Sequence, residues 1–198
     1  MRTFAVYKPY GVLSQFTDGD GHPGLSSLQM DLPRNVWPVG RLDRDSEGML
    51  LLSSDNVLKD RLTSPTKGHW KRYWVQVEGV PTESGVAPMR HPMKLRIRKK
   101  DILTQPAQVA IIPEPDLPER MPPIRKRLSI PTSWLQVDLQ EGKNRQIRKM
   151  TAALGFPTLR IVRIGIGSLT LEGLGLKPGQ CKALTTDHIE QLKAPLHA

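Results

Sequence analysis

The sequence predicts an α+β fold, and three observations carry that reading: short segments alternating apolar and polar residues, a few stretches of helical spacing, and no internal repeat or low-complexity tail. Its 198 residues suffice for a core of their own and show no composition shift that would mark a domain boundary. Phe4 and Val6 begin a short strand that ends in the turn Lys8-Pro9-Tyr10-Gly11, because Pro and Gly both interrupt regular pairing. Residues 17 to 35, rich in Gly, Asp and Pro, are expected to form a loop with at most one short helix. Strand character returns over residues 36 to 39, and Met49-Leu50-Leu51-Leu52 is an apolar run suited to a strand buried on both faces. Between them lies the polar stretch of residues 40 to 48.

Asp55 is a plausible N-cap for a short amphipathic helix through Val57, Leu58, Arg61 and Leu62 that must stop before Pro65. Tyr73, Val75 and Val77 alternate with Trp74, Gln76 and Glu78, a strand pattern, and Leu95 and Ile97 alternate with Lys94, Arg96 and Arg98 to give a second strand with a cationic face. Residues 113 to 131 hold six prolines and read as an extended surface loop. Residues 134 to 139 form another strand, followed by a turn at Glu141-Gly142. A helix is then expected over residues 145 to 154, capped by Asn144 and closed by Gly155. Ile147, Met150, Thr151 and Leu154 make its apolar face, leaving Arg145, Arg148 and Lys149 together on another. Further strands are expected over residues 161 to 166 and 168 to 171, and a last helix over residues 187 to 192.

Lys and Arg number 29 against 19 Asp and Glu, a formal charge of +10, which favours a polyanionic partner over a merely basic soluble protein. The single cysteine, Cys181, excludes an intrachain disulfide framework and a multi-cysteine zinc site, and fits a reducing cytoplasm. His22, His69, His91, His188 and His197 share no ligand spacing, so no metal is expected. No apolar run has signal-peptide length or approaches the roughly 18 residues of a membrane span, so the chain is expected to be neither secreted nor embedded.

Residues 41 to 47 concentrate five charges in seven positions, a poor composition for simple packing. A solvated turn with mutually satisfied ion pairs would explain it, as would a functional loop held between two buried strands. The string Gly40-Arg41-Leu42-Asp43, then four residues, then Gly48-Met49-Leu50-Leu51-Leu52 resembles the central motif of the ribosomal RNA pseudouridine synthases, in the branch typified by the small-subunit synthase A. Lys8-Pro9-Tyr10-Gly11, Lys71-Arg72-Tyr73-Trp74-Val75-Gln76-Val77 and Glu141-Gly142-Lys143-Asn144-Arg145-Gln146-Ile147-Arg148-Lys149-Met150 are similar to that family in the same order. The segments Ser129-Ile130-Pro131-Thr132-Ser133-Trp134 and Gly155-Phe156-Pro157-Thr158-Leu159-Arg160 are similar to its large-subunit (23S) subgroup E. The Lys-Pro strand begins within the first nine residues, leaving no room ahead of it for the S4-type RNA-binding domain of many members.

The resemblance implies a mixed, mainly antiparallel sheet of two half-sheets with helices on the outer faces and a central catalytic cleft, as a single catalytic domain of two lobes over residues 1 to 198. It implies isomerisation of a uridine in 23S ribosomal RNA, free or in an assembling large-subunit particle, by a cytoplasmic monomer without cofactor. Asp43 would be the catalytic carboxylate, either attacking C1′ of the ribose or removing the 2′ hydrogen, and Arg148 the cation that keeps it ionised. Tyr73 would stack on the uracil, and Ile147 would pack against the base or support Arg148. The target base must be extruded into the site. Arg41, two residues from Asp43 and on the same side of an extended segment, could fill the vacated space or instead pair with Asp45 or Glu47.

Arg145 and Lys149 would contact RNA, and Lys94, Arg96, Arg98, Lys99, Lys100, Arg125, Lys126 and Arg127 would position it through its phosphates. A retaining-glycosidase reading would need Asp45 or Glu47 as a second acid, and neither has a chemical role in the family motif. Two rival functions stand beside this one: a non-catalytic RNA-binding or ribosome-assembly protein, and a hydrolase of a nucleoside or glycoside.

Overall fold

The computed structural model describes residues 2–64, 69–97, 99–124, 127 and 129–193. In chain order the strands are β1 (Thr3–Lys8), β2 (Trp37–Val39), β3 (Glu47–Ser53), β4 (Lys71–Glu78), β5 (Lys94–Ile97), β6 (Lys100–Leu103), β7 (Gln108–Ile112), β8 (Thr132–Leu139), β9 (Thr158–Ile166), β10 (Leu169–Thr170) and β11 (Cys181–Ala183). The helices are α1 (Asn56–Thr63), α2 (Glu83–Val86), α3 (Gln146–Ala153), α4 (Leu171–Leu174) and α5 (Thr186–Lys193). The expected α+β class with a mainly antiparallel sheet is what the strands form. The chain divides into two compact units, one of residues up to Trp70 together with those from Val162 onward, the other Lys71–Ile161.

In the first unit β1 lies between β11 and β3, antiparallel to both, with Val6 opposite Leu50 and Thr3 opposite Ser53. Every residue of β1 and β3 is buried, as the Met49 to Leu52 run requires of a strand covered on both faces. On the other side of β3, β2 pairs antiparallel at Trp37↔Ser53 and Val39↔Leu51, and β9 pairs parallel at Glu47↔Val162 and Gly48↔Arg163. Asp55 caps α1, its Oδ1 accepting from the backbone N–H of Val57 and Leu58 at 2.9 and 3.0 Å. Leu58 and Leu62 are buried, but Val57 is exposed, because a residue in the first turn points off the face that Leu58 and Leu62 share. The expected loop of residues 17 to 35 holds one short 3-10 helix, Leu25–Leu28.

In the second unit β4, β8 and β7 form an antiparallel meander, with Tyr73 opposite Val137 and Val109 opposite Val137 on its other side. Tyr73, Val75 and Val77 are buried, as their alternation predicts. β5 and β6 make a separate hairpin with Leu95 and Ile97 inward and Lys94 and Arg96 outward. The described part of residues 113 to 131 contains neither helix nor strand. Two expectations need correction at α3. Its N-cap is Arg145, not Asn144, and Arg145 sits in the left-handed region at φ 52, one residue outside the helix, so it does not share a helix face with Arg148 and Lys149. Gly155, at φ +85, closes the helix as expected.

Candidate active site

The loop that carries Asp43 is held from beneath by groups that need nothing from Asp43 itself. Leu42 is buried, and the buried Ser14 hydroxyl binds it twice, accepting from Leu42 N at 3.0 Å and donating to Leu42 O at 2.8 Å. Asp43 then opens a turn closed by Ser46 N–H donating to Asp43 O at 3.0 Å. Lys8, 0% exposed at the end of β1, aims its ammonium at three carbonyl oxygens: Val12 at 2.7 Å, Pro9 at 2.9 Å and Arg44 at 3.3 Å. Gly11 N–H donates to the same Arg44 oxygen at 2.9 Å. The Lys8-Pro9-Tyr10-Gly11 turn is thereby fastened to the residue after Asp43, and Asp43 is left half-buried.

Burial pushes the Lys8 ammonium down to about 8, against the pull of the Glu47, Asp45 and Asp43 carboxylates, while the Arg163 guanidinium acts in the same direction as burial. Three carboxylates and the Arg163 guanidinium therefore act on the Lys8 ammonium around the start of β3. Glu47 is buried within β3, so it is not placed at the surface as a second acid of a glycosidase pair would be. Gly48 has φ +106, and a Cβ there would stand 2.3 Å from the backbone oxygen of Arg163; the family motif's glycine is what lets β9 approach. Arg163, buried on β9, donates from Nε to Met49 O at 2.7 Å, and its buried Nη2 has no hydrogen-bond partner among the described residues.

Arg41 is exposed and makes no side-chain hydrogen bond or ion pair among the described residues, so the alternative pairing with Asp45 or Glu47 does not form. Arg44, also exposed, meets both ring nitrogens of His22, Nδ1 at 3.1 Å.

The second unit holds the other expected site residues. Tyr73 is buried on β4, and beside it Arg72 grips the buried Asp138 directly across on β8, Nη2 to Oδ2 at 2.8 Å and Nε to Oδ1 at 3.0 Å. The segment before α3 is organised by the buried Glu141, which accepts from Gln105 N at 2.8 Å, from Gln146 Nε2 at 2.6 Å and from Lys143 Nζ. Gln146 Oε1 returns to accept from Lys143 N at 3.1 Å. This closed network sets where α3 begins and hence how its first residues are presented. Ile147 is buried, Arg148 is half-buried with Nη1 3.4 Å from Thr158 O, and Lys149 donates to Arg96 O at 2.7 Å, tying α3 to β5. Arg145 is exposed.

Lys94, Arg96, Lys99, Lys100 and Arg127 are exposed, with Lys94 3.3 Å from Asp101 and Arg127 3.4 Å from Glu78. Arg98, Arg125, Lys126 and His197 lie outside the described residues. Among the described residues no group of His, Cys, Asp and Glu is placed to hold a metal, and no helix is long and apolar enough to cross a membrane.

Sequence reasoning left Lys8, Glu141 and Arg163 out of the site. The signal for Arg163 was a charge interrupting an apolar run, and for Lys8 a charge closing a strand that is otherwise apolar.

Residues 2–153 match the family model described as RNA pseudouridylate synthase. The chain is 50% identical over 179 residues to a ribosomal large subunit pseudouridine synthase E of Vibrio vulnificus, covering 90% of this chain and 73% of that protein. It is 47% identical over 179 residues to the protein of the same name from Xanthomonas axonopodis pv. citri, covering 90% of this chain and 92% of that one. Among solved structures it is similar to a crystal structure of a pseudouridylate synthase, with TM-score 0.76 and 27% identity, over 96% of this chain and 73% of that one.

Proposed function

The chain belongs to the RNA pseudouridylate synthase family, and from that premise we propose that it converts a defined uridine of the large-subunit (23S) ribosomal RNA to pseudouridine, with Asp43 as its catalytic carboxylate. The reaction breaks the bond from ribose C1′ to uracil N1, turns the base, and joins C1′ to C5. N1 gains a proton and C5 loses one, so nothing is oxidised or reduced and no cofactor is required. Asp43 acts either as nucleophile at C1′ or as base at the 2′ hydrogen. Arg148 keeps that carboxylate ionised, Tyr73 stacks on the uracil, and Ile147 supports them.

Arg41 fills the space left by the extruded uridine, and Arg145 and Lys149 hold the RNA. The enzyme works as a cytoplasmic monomer, a single catalytic domain of two lobes, on free 23S RNA or on an assembling particle. One observation supports this reading above the others: the Asp43 turn is anchored by a fully buried lysine and a buried serine while its aspartate stays half-buried. That is the arrangement a reactive carboxylate needs, since positioning is supplied by groups that take no part in the chemistry.

The test is carbodiimide and reverse-transcriptase mapping of 23S RNA incubated with the wild-type protein and with Asp43→Asn. A new stop with wild type alone supports the reaction and the carboxylate and names the uridine. A stop with both removes Asp43 from its role. No stop with either, on free RNA or ribosomal precursors, leaves an RNA-binding protein in its place.

A further inference from the structure

We propose that Trp37 is a stacking platform for an unpaired base of the substrate RNA, lying beyond the uridine that reacts. The proposal rests on the RNA-directed function argued above and adds a binding subsite to it. Trp37 is 59% exposed, although an indole is among the side chains that gain most from burial. It stands on β2, which pairs with β3 alone among the described strands, so its outer edge is open. The ring is nonetheless held. Pro38 follows it directly, its own register with Ser53 is set, and Phe16 meets it edge to face at 6.4 Å and 81°. A flat aromatic surface fixed before binding loses little conformational freedom when a base lies on it.

The surroundings favour nucleic acid over a protein partner. Exposed Arg34 and Arg41 flank Trp37 in the chain, and α1, which packs against β2 and β3, exposes Lys59 and Arg61. Exposed Arg44 adds a fifth cation, and the exposed acids are Asp31 and Asp60 with Asp18 and Asp20 of the loop that carries Phe16, so the cations outnumber them. Protein interfaces deplete charge around their aromatic centres, whereas single-stranded RNA needs both a stacking surface for the base and cations for the phosphates on either side. Trp37 is not placed to touch the reacting uridine. It sits opposite Ser53, whereas the Asp43 turn leads into Glu47, six residues back along β3, which is about 20 Å at the rise of a strand. A base on Trp37 is therefore a neighbour of the target, and Trp37 contributes to binding rather than to the chemical step.

The experiment is fluorescence anisotropy of a labelled mixed-sequence single-stranded RNA with wild type, Trp37→Ala, Trp37→Leu and Trp37→Phe, over a range of salt. Trp37→Ala and Trp37→Leu should raise Kd roughly ten- to a hundredfold, while Trp37→Phe stays within about threefold of wild type. The slope of log Kd against log salt should not change, because the indole neutralises no phosphate. Wild-type affinity in Trp37→Leu overturns the proposal, including the case in which Trp37 docks a protein, and so does a Trp37→Phe protein as weak as Trp37→Leu. Failure of the wild-type protein to form pseudouridine in any ribosomal RNA would refute the proposed function and leave this binding result standing, so the two failures are distinguishable.

Discussion

Lys8 carries its charge with no solvent contact, and the carbonyls it serves belong to the residues that shape the Asp43 turn. Its proton has opposite consequences for stability and for activity. The folded ammonium titrates at about 8, below its ordinary 10.5, because burial outweighs the pull of the nearby carboxylates. Between those two values the unfolded chain holds a proton that the folded chain has released, so stability rises with pH across that window, and below 8 the cost of the buried charge is borne in full. The unfolding free energy of wild type relative to Lys8→Met should therefore climb between pH 8 and 10.5 by up to about 3 kcal/mol, read from urea melts at each pH. Over the same window the turn loses the ammonium that binds the Pro9, Val12 and Arg44 carbonyls, and kcat should fall as Asp43 is less well positioned. A stability difference that stays flat across the window would show that Lys8 keeps its proton.

The parallel contact of β3 with β9 exists because Gly48 has no side chain. Gly48→Ala adds a Cβ inside the backbone of Arg163 and asks alanine to hold φ +106. Left-handed strain and overpacking each cost roughly 1–3 kcal/mol, so a loss of about 3 kcal/mol or more is expected in urea unfolding, with activity falling alongside as β9 is forced off the strand that follows Asp43. An alanine variant as stable as wild type would mean that the two strands do not meet as described. The same elements show what was legible in sequence. β3 and β4 could be read because an apolar run and a period-two alternation each record burial directly. β6, β7 and β11 could not, since their residues are mostly solvent-facing and only pairing makes them strands. Asp55 was legible as a cap because its side chain does the capping locally. Asn144 misled because the start of α3 is decided by the Glu141–Gln146 network, which no local pattern encodes. The motif residues stood out in the chain, whereas the buried ammonium of Lys8 and the buried guanidinium of Arg163 are products of tertiary packing.

At the scale of the whole chain, a surplus of ten positive charges is too large to be absorbed by internal pairing, and the cations divide unevenly between the protein's own groups and solvent. Lys8, Arg72 and Arg163 are turned to carbonyls or carboxylates of the protein itself. Arg41, Arg145, Arg96, Lys99 and Lys100 are exposed. Only exposed cations can release counterions from RNA, so net charge overstates the electrostatic share of binding and the exposed set measures it better. For single strands the slope of log affinity against log salt is about −0.7 per neutralised phosphate, so about four contacts from that set give a slope near −3 and roughly a fiftyfold loss of affinity for a fourfold rise in salt. Anisotropy titrations of the wild-type protein over that range check it. A slope steeper than that would mean that side chains now turned inward are recruited by the RNA, and a flat profile would mean that the basic surface is not where the RNA lies.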